Sequence, residues 1–104
     1  MIEQVKGTRN LFGADSAKYV HIFNTFCEAF IDYGYELVEL PILEHKELFI
    51  KSIGENSEIV TKQMYEFKDK GDRSLVLRPE ATASVVRFHN EFFKNESNKY
   101  AYFG

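Results

Sequence analysis

Nine residues, Leu75-Val76-Leu77-Arg78-Pro79-Glu80-Ala81-Thr82-Ala83, constrain the fold more than any other stretch of this chain. Ser74 to Arg78 alternates as a strand does. Pro79 has no backbone N–H to give, and the residues from Ala81 onward take up helical spacing. Glu80 and Thr82 therefore fall where a strand hands over to a helix. At such a place a carboxylate, a hydroxyl and free backbone N–H groups can converge on a small polar ligand. The same two residues serve equally well as helix caps, and residue types alone favour the cap.

The rest of the chain reads as an α+β domain. Residues 1–14 form an irregular lead-in punctuated by Gly7 and Gly13, and Asp15 or Ser16 can cap a helix running to Tyr33. That helix carries two apolar stripes. One holds Val20, Phe23, Cys27, Phe30 and Ile31; the other holds Tyr19, Ile22, Phe26, Ala29 and Tyr33. Two stripes are wider than a surface helix needs, so the spacing predicts cover on two sides, from its own sheet and from a partner subunit. Gly34 supplies a left-handed cap. Tyr35 to Leu40 alternates as a strand and Pro41 ends it. A helix is predicted from Glu44 to Ile53 with Gly54 as its stop, and Asn56 or Ser57 caps a short turn through Val60.

Met64 to Lys68 and Ser74 to Arg78 read as an antiparallel hairpin around Asp69-Lys70-Gly71-Asp72, with Leu75 and Leu77 facing inward. The next helix is predicted from Ala81 to Asn95, with Val85, His89 and Phe92 on one stripe. Lys99 to Gly104 begins another strand. A chain stopping on an aromatic strand reads as part of something longer.

Composition narrows the class. The chain has 104 residues, 44% of them apolar, with ten Phe and six Tyr, enough for one small globular core. A net charge of −3 and the lack of a long basic run advertise no nucleic-acid surface, so if the parent protein binds RNA most of that contact is expected outside this segment. The single cysteine, Cys27, admits no intrachain disulfide and fits a reducing compartment; its apolar neighbours predict a buried thiol. No apolar run reaches the ~20 residues of a membrane span, and the first residues lack a secretory layout. His21, His45 and His89 are scattered without metal-ligand spacing. Arg78 can bind an anion or pair with a carboxylate inside the protein, the second being commoner for a lone Arg. His89 reads as a core or boundary residue.

Taken in order, these segments resemble the start of the catalytic domain of class II aminoacyl-tRNA synthetases, and within them the histidyl-tRNA synthetases. Lys6-Gly7-Thr8-Arg9 resembles the family's opening Lys/Arg-Gly-Thr segment. The first helix, Tyr33-Gly34-Tyr35-Glu36 and the strand ending at Pro41 resemble motif 1. Leu48-Phe49, Ile53-Gly54-Glu55 and Met64-Tyr65-Glu66-Phe67 resemble the stretch that follows. Leu77-Arg78-Pro79-Glu80-Ala81-Thr82-Ala83 resembles the Leu-Arg-Pro-Glu-Gly-Thr-Ala signature, and Tyr102-Phe103-Gly104 the strand opening motif 2. Ala81 stands where the family has Gly, Asn10 where Asp is common, and Phe12-Gly13 in place of Leu-Pro.

The resemblance implies a partial class II catalytic core, an antiparallel sheet flanked by helices. Residues 1–104 would span motif 1 through the start of motif 2, without the rest of the catalytic domain or the anticodon-binding domain. It implies a cytoplasmic histidine–tRNA ligase as the parent protein. That enzyme forms histidyl-adenylate from histidine and ATP with Mg2+, then passes the histidyl group to tRNA-His. It implies that Glu80 and Thr82 hold the α-amino group of histidine, with Arg78 as possible support, and that no catalytic or metal-binding residue lies within residues 1–104. It implies a homodimer through motif 1, helix 15–33 and strand 35–40. The other reading is a synthetase-like regulatory subunit of ATP phosphoribosyltransferase in histidine biosynthesis. Those paralogues tend to carry Asp and a larger residue where this chain has Glu80-Ala81. An Arg in a Phe-Arg-x-Glu context soon after Gly104 in the gene would favour the enzyme. A stand-alone dimerisation module rests only on the wide apolar helix.

Overall fold

A computed structural model describes residues 1–103. The elements run α1 (Gly13–Asp32), β1 (Glu36–Leu37), β2 (Leu43–His45), α2 (Lys46–Ile53), a π-helical turn (Ile59–Gln63), β3 (Glu66–Lys68), β4 (Ser74–Leu77), α3 (Thr82–Phe92) and β5 (Tyr100–Ala101). The expected start of a further strand through Gly104 falls partly outside the described residues.

The main sheet has strand order β2-β4-β3 and both pairings are antiparallel. Helices α2 and α3 cover one face. Phe49 of α2, Val76 of β4 and Ala83 of α3 meet at the centre, with Leu48, Ile53, Val60 and Met64 packed around them. Val76 therefore points inward, and Leu75 and Leu77 do not, contrary to the expectation from sequence. Alternation fixes which residues share a face of a strand but not which face the helices cover.

Three helix boundaries differ from those expected, the first of them through strand pairing. Glu44 belongs to β2, not to a helix starting there, because Leu43, Glu44 and His45 pair with Leu77, Val76 and Leu75. The first helix starts at Gly13 rather than after an Asp15 or Ser16 cap; Phe12 is extended and donates no side-chain cap. Its other end is as expected. Gly34, at φ +77, donates its N–H to Ile31 O, Tyr35 N–H reaches Phe30 O, and the Tyr35 ring packs on Phe30 at 5.2 Å. That is the double bond and hydrophobic clasp of a Schellman ending. Helix α3 stops at Phe92, short of Asn95, where Phe93 leaves helical geometry and its ring lies 5.8 Å from Phe88. Ser57 caps the π-helical turn as expected, its Oγ accepting the Val60 N–H at 3.2 Å.

Helix α1 is covered on one side only. Tyr19, Phe23 and Phe26 surround the Phe103 ring at 5.0–5.4 Å, and Phe26 continues the ladder to Phe30. These residues come from both sequence stripes, at spacings of four, three and four. The remainder, Val20, Ile22, Ile31 and Tyr33, is exposed, and no α1 residue is fully buried. Cys27 is half-buried rather than enclosed. Beyond α1 the predicted strand 35–40 shrinks to β1, which pairs in parallel with β5 in a separate two-stranded sheet.

The β3–β4 turn is held by one carboxylate. Asp69 Oδ1 accepts the Arg73 and Gly71 backbone N–H groups, and Oδ2 accepts Arg73 Nε at 2.7 Å. The Arg73 backbone N–H is the chief cause that holds the Asp69 carboxyl below its ordinary value; partial burial opposes it. A depressed folded value means the stabilisation is complete above the unfolded pKa and disappears as pH falls through the folded one. The hairpin is therefore expected to loosen only below about pH 4. Amide exchange at Gly71 and Arg73 followed on acidification checks this, and an Asp69→Asn chain should show no such acid transition there.

Candidate functional site

The hand-over from β4 to α3 builds the site. Val76 locks the strand into the core, Arg78 N–H closes the sheet onto Ile42 O at 2.9 Å, and Pro79 turns the chain out of the ladder. Ala81 follows at φ −105, ψ −15, a conformation any L-residue adopts. The methyl at this position therefore imposes no backbone strain.

The Glu80 carboxylate folds back onto the start of α3. Oε2 accepts the Thr82 N–H at 2.5 Å, and both oxygens lie within reach of the Ala83 N–H, at 3.2 and 3.4 Å. Negative charge at a helix N-terminus is favoured by the backbone dipoles and by two otherwise unpaired donors. This is the capping role that residue types favoured. It leaves capacity to spare: a carboxylate offers about four lone-pair sites, and two backbone donors do not fill them. Thr82 is exposed, and its Oγ1 stands 3.3 Å from the Tyr102 hydroxyl.

Glu80 and Thr82 share the wall of a cleft of about 260 Å³ with Leu48, Ser52, Ile53, Ala83 and Val86. Its lining is mostly apolar, with Glu80 and Thr82 at the α3 end and Ser52 on α2 as its polar residues. Such a cleft suits a small molecule with a cationic or hydrogen-bonding head and a body that tolerates apolar contact. Arg78 is not among the residues lining it, and its guanidinium makes no ion pair among the described residues. The internal ion pair expected for it is not formed.

Several neighbours were not legible in sequence. Tyr102 reaches Thr82 across twenty residues. Leu48, Ser52 and Ile53 come from α2, whose apolar spacing announced core residues rather than a cleft wall. His89 sits at a boundary, as expected: half-buried, its Nδ1 2.9 Å from the Tyr100 hydroxyl, to which Asn98 Nδ2 donates. Among the described residues no three of His, Cys, Asp and Glu converge as metal ligands, and no helix is long and apolar enough to cross a membrane.

Comparison with known proteins adds to this geometry. A family model described as histidyl-tRNA synthetase matches residues 7–104. A histidine–tRNA ligase of Maridesulfovibrio salexigens is 48% identical over 90 residues, 86% of this chain and 22% of that protein. The apo Staphylococcus aureus histidyl-tRNA synthetase structure superposes with a TM-score of 0.80 at 36% identity, over 98% of this chain and 24% of that one. A Bacillus halodurans structure described as an ATP phosphoribosyltransferase regulatory subunit/histidyl-tRNA synthetase gives 0.78 at 27%, over 98% and 26%. The chain thus spans about a quarter of the length of the relatives it matches.

Proposed function

The chain belongs to the histidyl-tRNA synthetase family, and from that membership we propose that it forms the amino-acid-holding part of a histidine–tRNA ligase. It corresponds to the stretch of the catalytic domain from motif 1 to the opening of motif 2. The whole protein would join histidine and ATP into histidyl-adenylate and pass the histidyl group to tRNA-His in the cytoplasm. The observation that carries the reading is the Glu80–Thr82 pair on the wall of one cleft, at the N-terminus of α3. In this role Glu80 caps the helix with part of its lone-pair capacity and accepts the histidine ammonium with the rest. Thr82 Oγ1 accepts a second ammonium proton, and the Tyr102 hydroxyl beside it orients that oxygen. Arg78, half-buried at the end of β4, supports the hand-over through its backbone bond rather than through a side-chain pair. Magnesium enters with the nucleotide; no cluster of the described residues fits it, and none is assigned to it.

The ammonium reading has a direct test. Titration of the chain with histidine, followed by amide resonances, should shift Thr82 and Ala83. Nα-acetylhistidine, whose amine carries no charge, should leave them unmoved. Glu80→Gln should abolish the histidine response and lower the melting temperature by the few degrees that about 1 kcal/mol of lost capping gives. Equal shifts from both compounds would sink the reading.

The second reading, a regulatory subunit of ATP phosphoribosyltransferase, draws on the likeness to the Bacillus halodurans protein. The higher identities to the two ligases and the Glu80-Ala81 pair favour the enzyme.

We propose further that α1 and the β1 segment form a homodimer interface. Support comes from the exposed apolar side chains of α1, with Val20 and Ile31 on one flank of the face that packs on Phe103 and Ile22 on the other, Ile31 being 67% exposed. Apolar patches of this kind mark association surfaces. Sedimentation of the chain at micromolar concentration should give a dimer or larger species, and Ile22→Glu with Ile31→Glu should return it to monomer. A monodisperse monomer of the unaltered chain would contradict the proposal.

A further inference from the structure

Among the described residues Glu44 is the one acidic side chain taken almost wholly into the interior, 4% exposed, and it is met by Arg87 from α3. Arg87 Nη2 donates to Glu44 Oε2 at 3.1 Å, while Nε stands 2.7 Å from Oε1 without being aimed along a hydrogen-bond direction. On its other side Arg87 Nη1 contacts Glu91 one turn later at 3.4 Å. The guanidinium is therefore braced on its own helix and reaches across to β2.

The packing around it explains why such a brace matters. The buried residues of α3 are Ala83 and Ser84, and the Ser84 hydroxyl has no partner. Small side chains give a smooth contact, which lets a helix approach the sheet closely but interlocks little against sliding or rotation. A buried ion pair is an uncertain source of net stability, and its best-attested use is to fix register. Glu44 is well placed for that, because it lies opposite Val76 in the β2–β4 ladder and so is tied directly to the central strand of the sheet. From Arg87 to Thr82 is five residues, about 7.5 Å along the helix. A small rotation at Arg87 would carry over to the first turn.

We propose that the Arg87–Glu44 pair is a positioning device for the ligand cleft: it sets the register of α3 on the sheet, and thereby where Thr82 and the Glu80-capped amides stand. The proposal rests on the reading of that cleft as the ammonium-holding site. Arg87 and Glu44 touch no ligand in it; they act through the helix.

The test uses the whole chain and two variants. Glu44→Leu with Arg87→Met removes the pair without stranding a buried charge, so its melting temperature should stay near that of the parent. Arg87→Lys keeps the charge and loses the planar fork. Amide exchange is measured at Thr82, Ala83 and, as reference, Val76. In the double variant Thr82 and Ala83 should exchange about ten-fold faster or more while Val76 is unchanged, which a uniform loss of stability cannot produce. Arg87→Lys should lie between, and it carries the test by itself if the double variant does not fold. Exchange that rises equally at all three amides, or at none, overturns the proposal. Histidine at roughly 50 mM, suited to a weak single-site contact, separates the two readings. Selective exchange in the variants without any histidine response in the parent would keep the positioning role and reject the ammonium site.

Discussion

Phe49→Ala will leave this chain without a cooperative melting transition. Phe49 is 0% exposed at the point where α2, β4 and α3 meet. Its truncation removes the ring and leaves a cavity bounded by Val76 and Ala83, neither large enough to fill it. Buried Phe→Ala changes cost about 3–5 kcal/mol. A domain of this size has about 5–15 kcal/mol in all, and this one belongs at the low end. Its buried hydrophobic residues are Leu40, Phe49, Val76, Ala83 and Ala101, two of them alanines. Phe92→Ala is the matched control. The same side chain there is 62% exposed, so the change should cost about 0.5 kcal/mol or less. Thermal melts by far-UV circular dichroism, run side by side, decide the matter. A sharp transition in Phe49→Ala within a few degrees of the parent would show that the core lies elsewhere.

That contrast also marks where the sequence was legible. Element types came through wherever pattern and punctuation agreed: α1 with its Gly34 ending, the β3–β4 hairpin, and the strand–proline–helix hand-over at Pro79. The ordered motifs gave the family, and the family model matches residues 7–104. What failed depended on partners distant in sequence. Phe92 shares a helical stripe with Val85 and His89 yet faces outward, because Ala83 and Ser84 turn α3 onto the sheet. Glu44 looked like a helix-start carboxylate, and only its ladder with Val76 and its pairing with Arg87, 43 residues away, place it in a strand. The two stripes of α1 suggested cover on both sides; a single ring, Phe103, draws on residues of each and leaves the rest open. In the cleft, Glu80 and Thr82 were legible because local geometry defines a helix start. Tyr102 and the α2 wall were not, because no short-range rule brings them there.

The 104 residues by themselves will show no histidine-dependent exchange of pyrophosphate into ATP above background. The cleft can offer an ammonium a carboxylate and a hydroxyl, a charge-assisted contact of about 1.5–3 kcal/mol. Enzymatic rate enhancement takes roughly 8–23 kcal/mol. For attack on a phosphate, most of that comes from aligned reactants and from cations or dipoles that neutralise developing charge. The described cleft residues supply neither. Its lining has one ionisable group, the anionic Glu80, and the helix dipole that favours negative charge is already engaged by that same carboxylate. A triphosphate brought beside it would meet repulsion, and the chain as a whole carries a net charge of −3. Arg78, the nearest cation in sequence, lies outside the lining. Histidine binding and catalysis are thus expected to separate: amide shifts at Thr82 and Ala83 without turnover. Exchange by the purified chain that depends on histidine and is lost in Glu80→Gln would overturn this, and would mean that residues 1–104 contain charge-neutralising groups that the cleft geometry does not bring together.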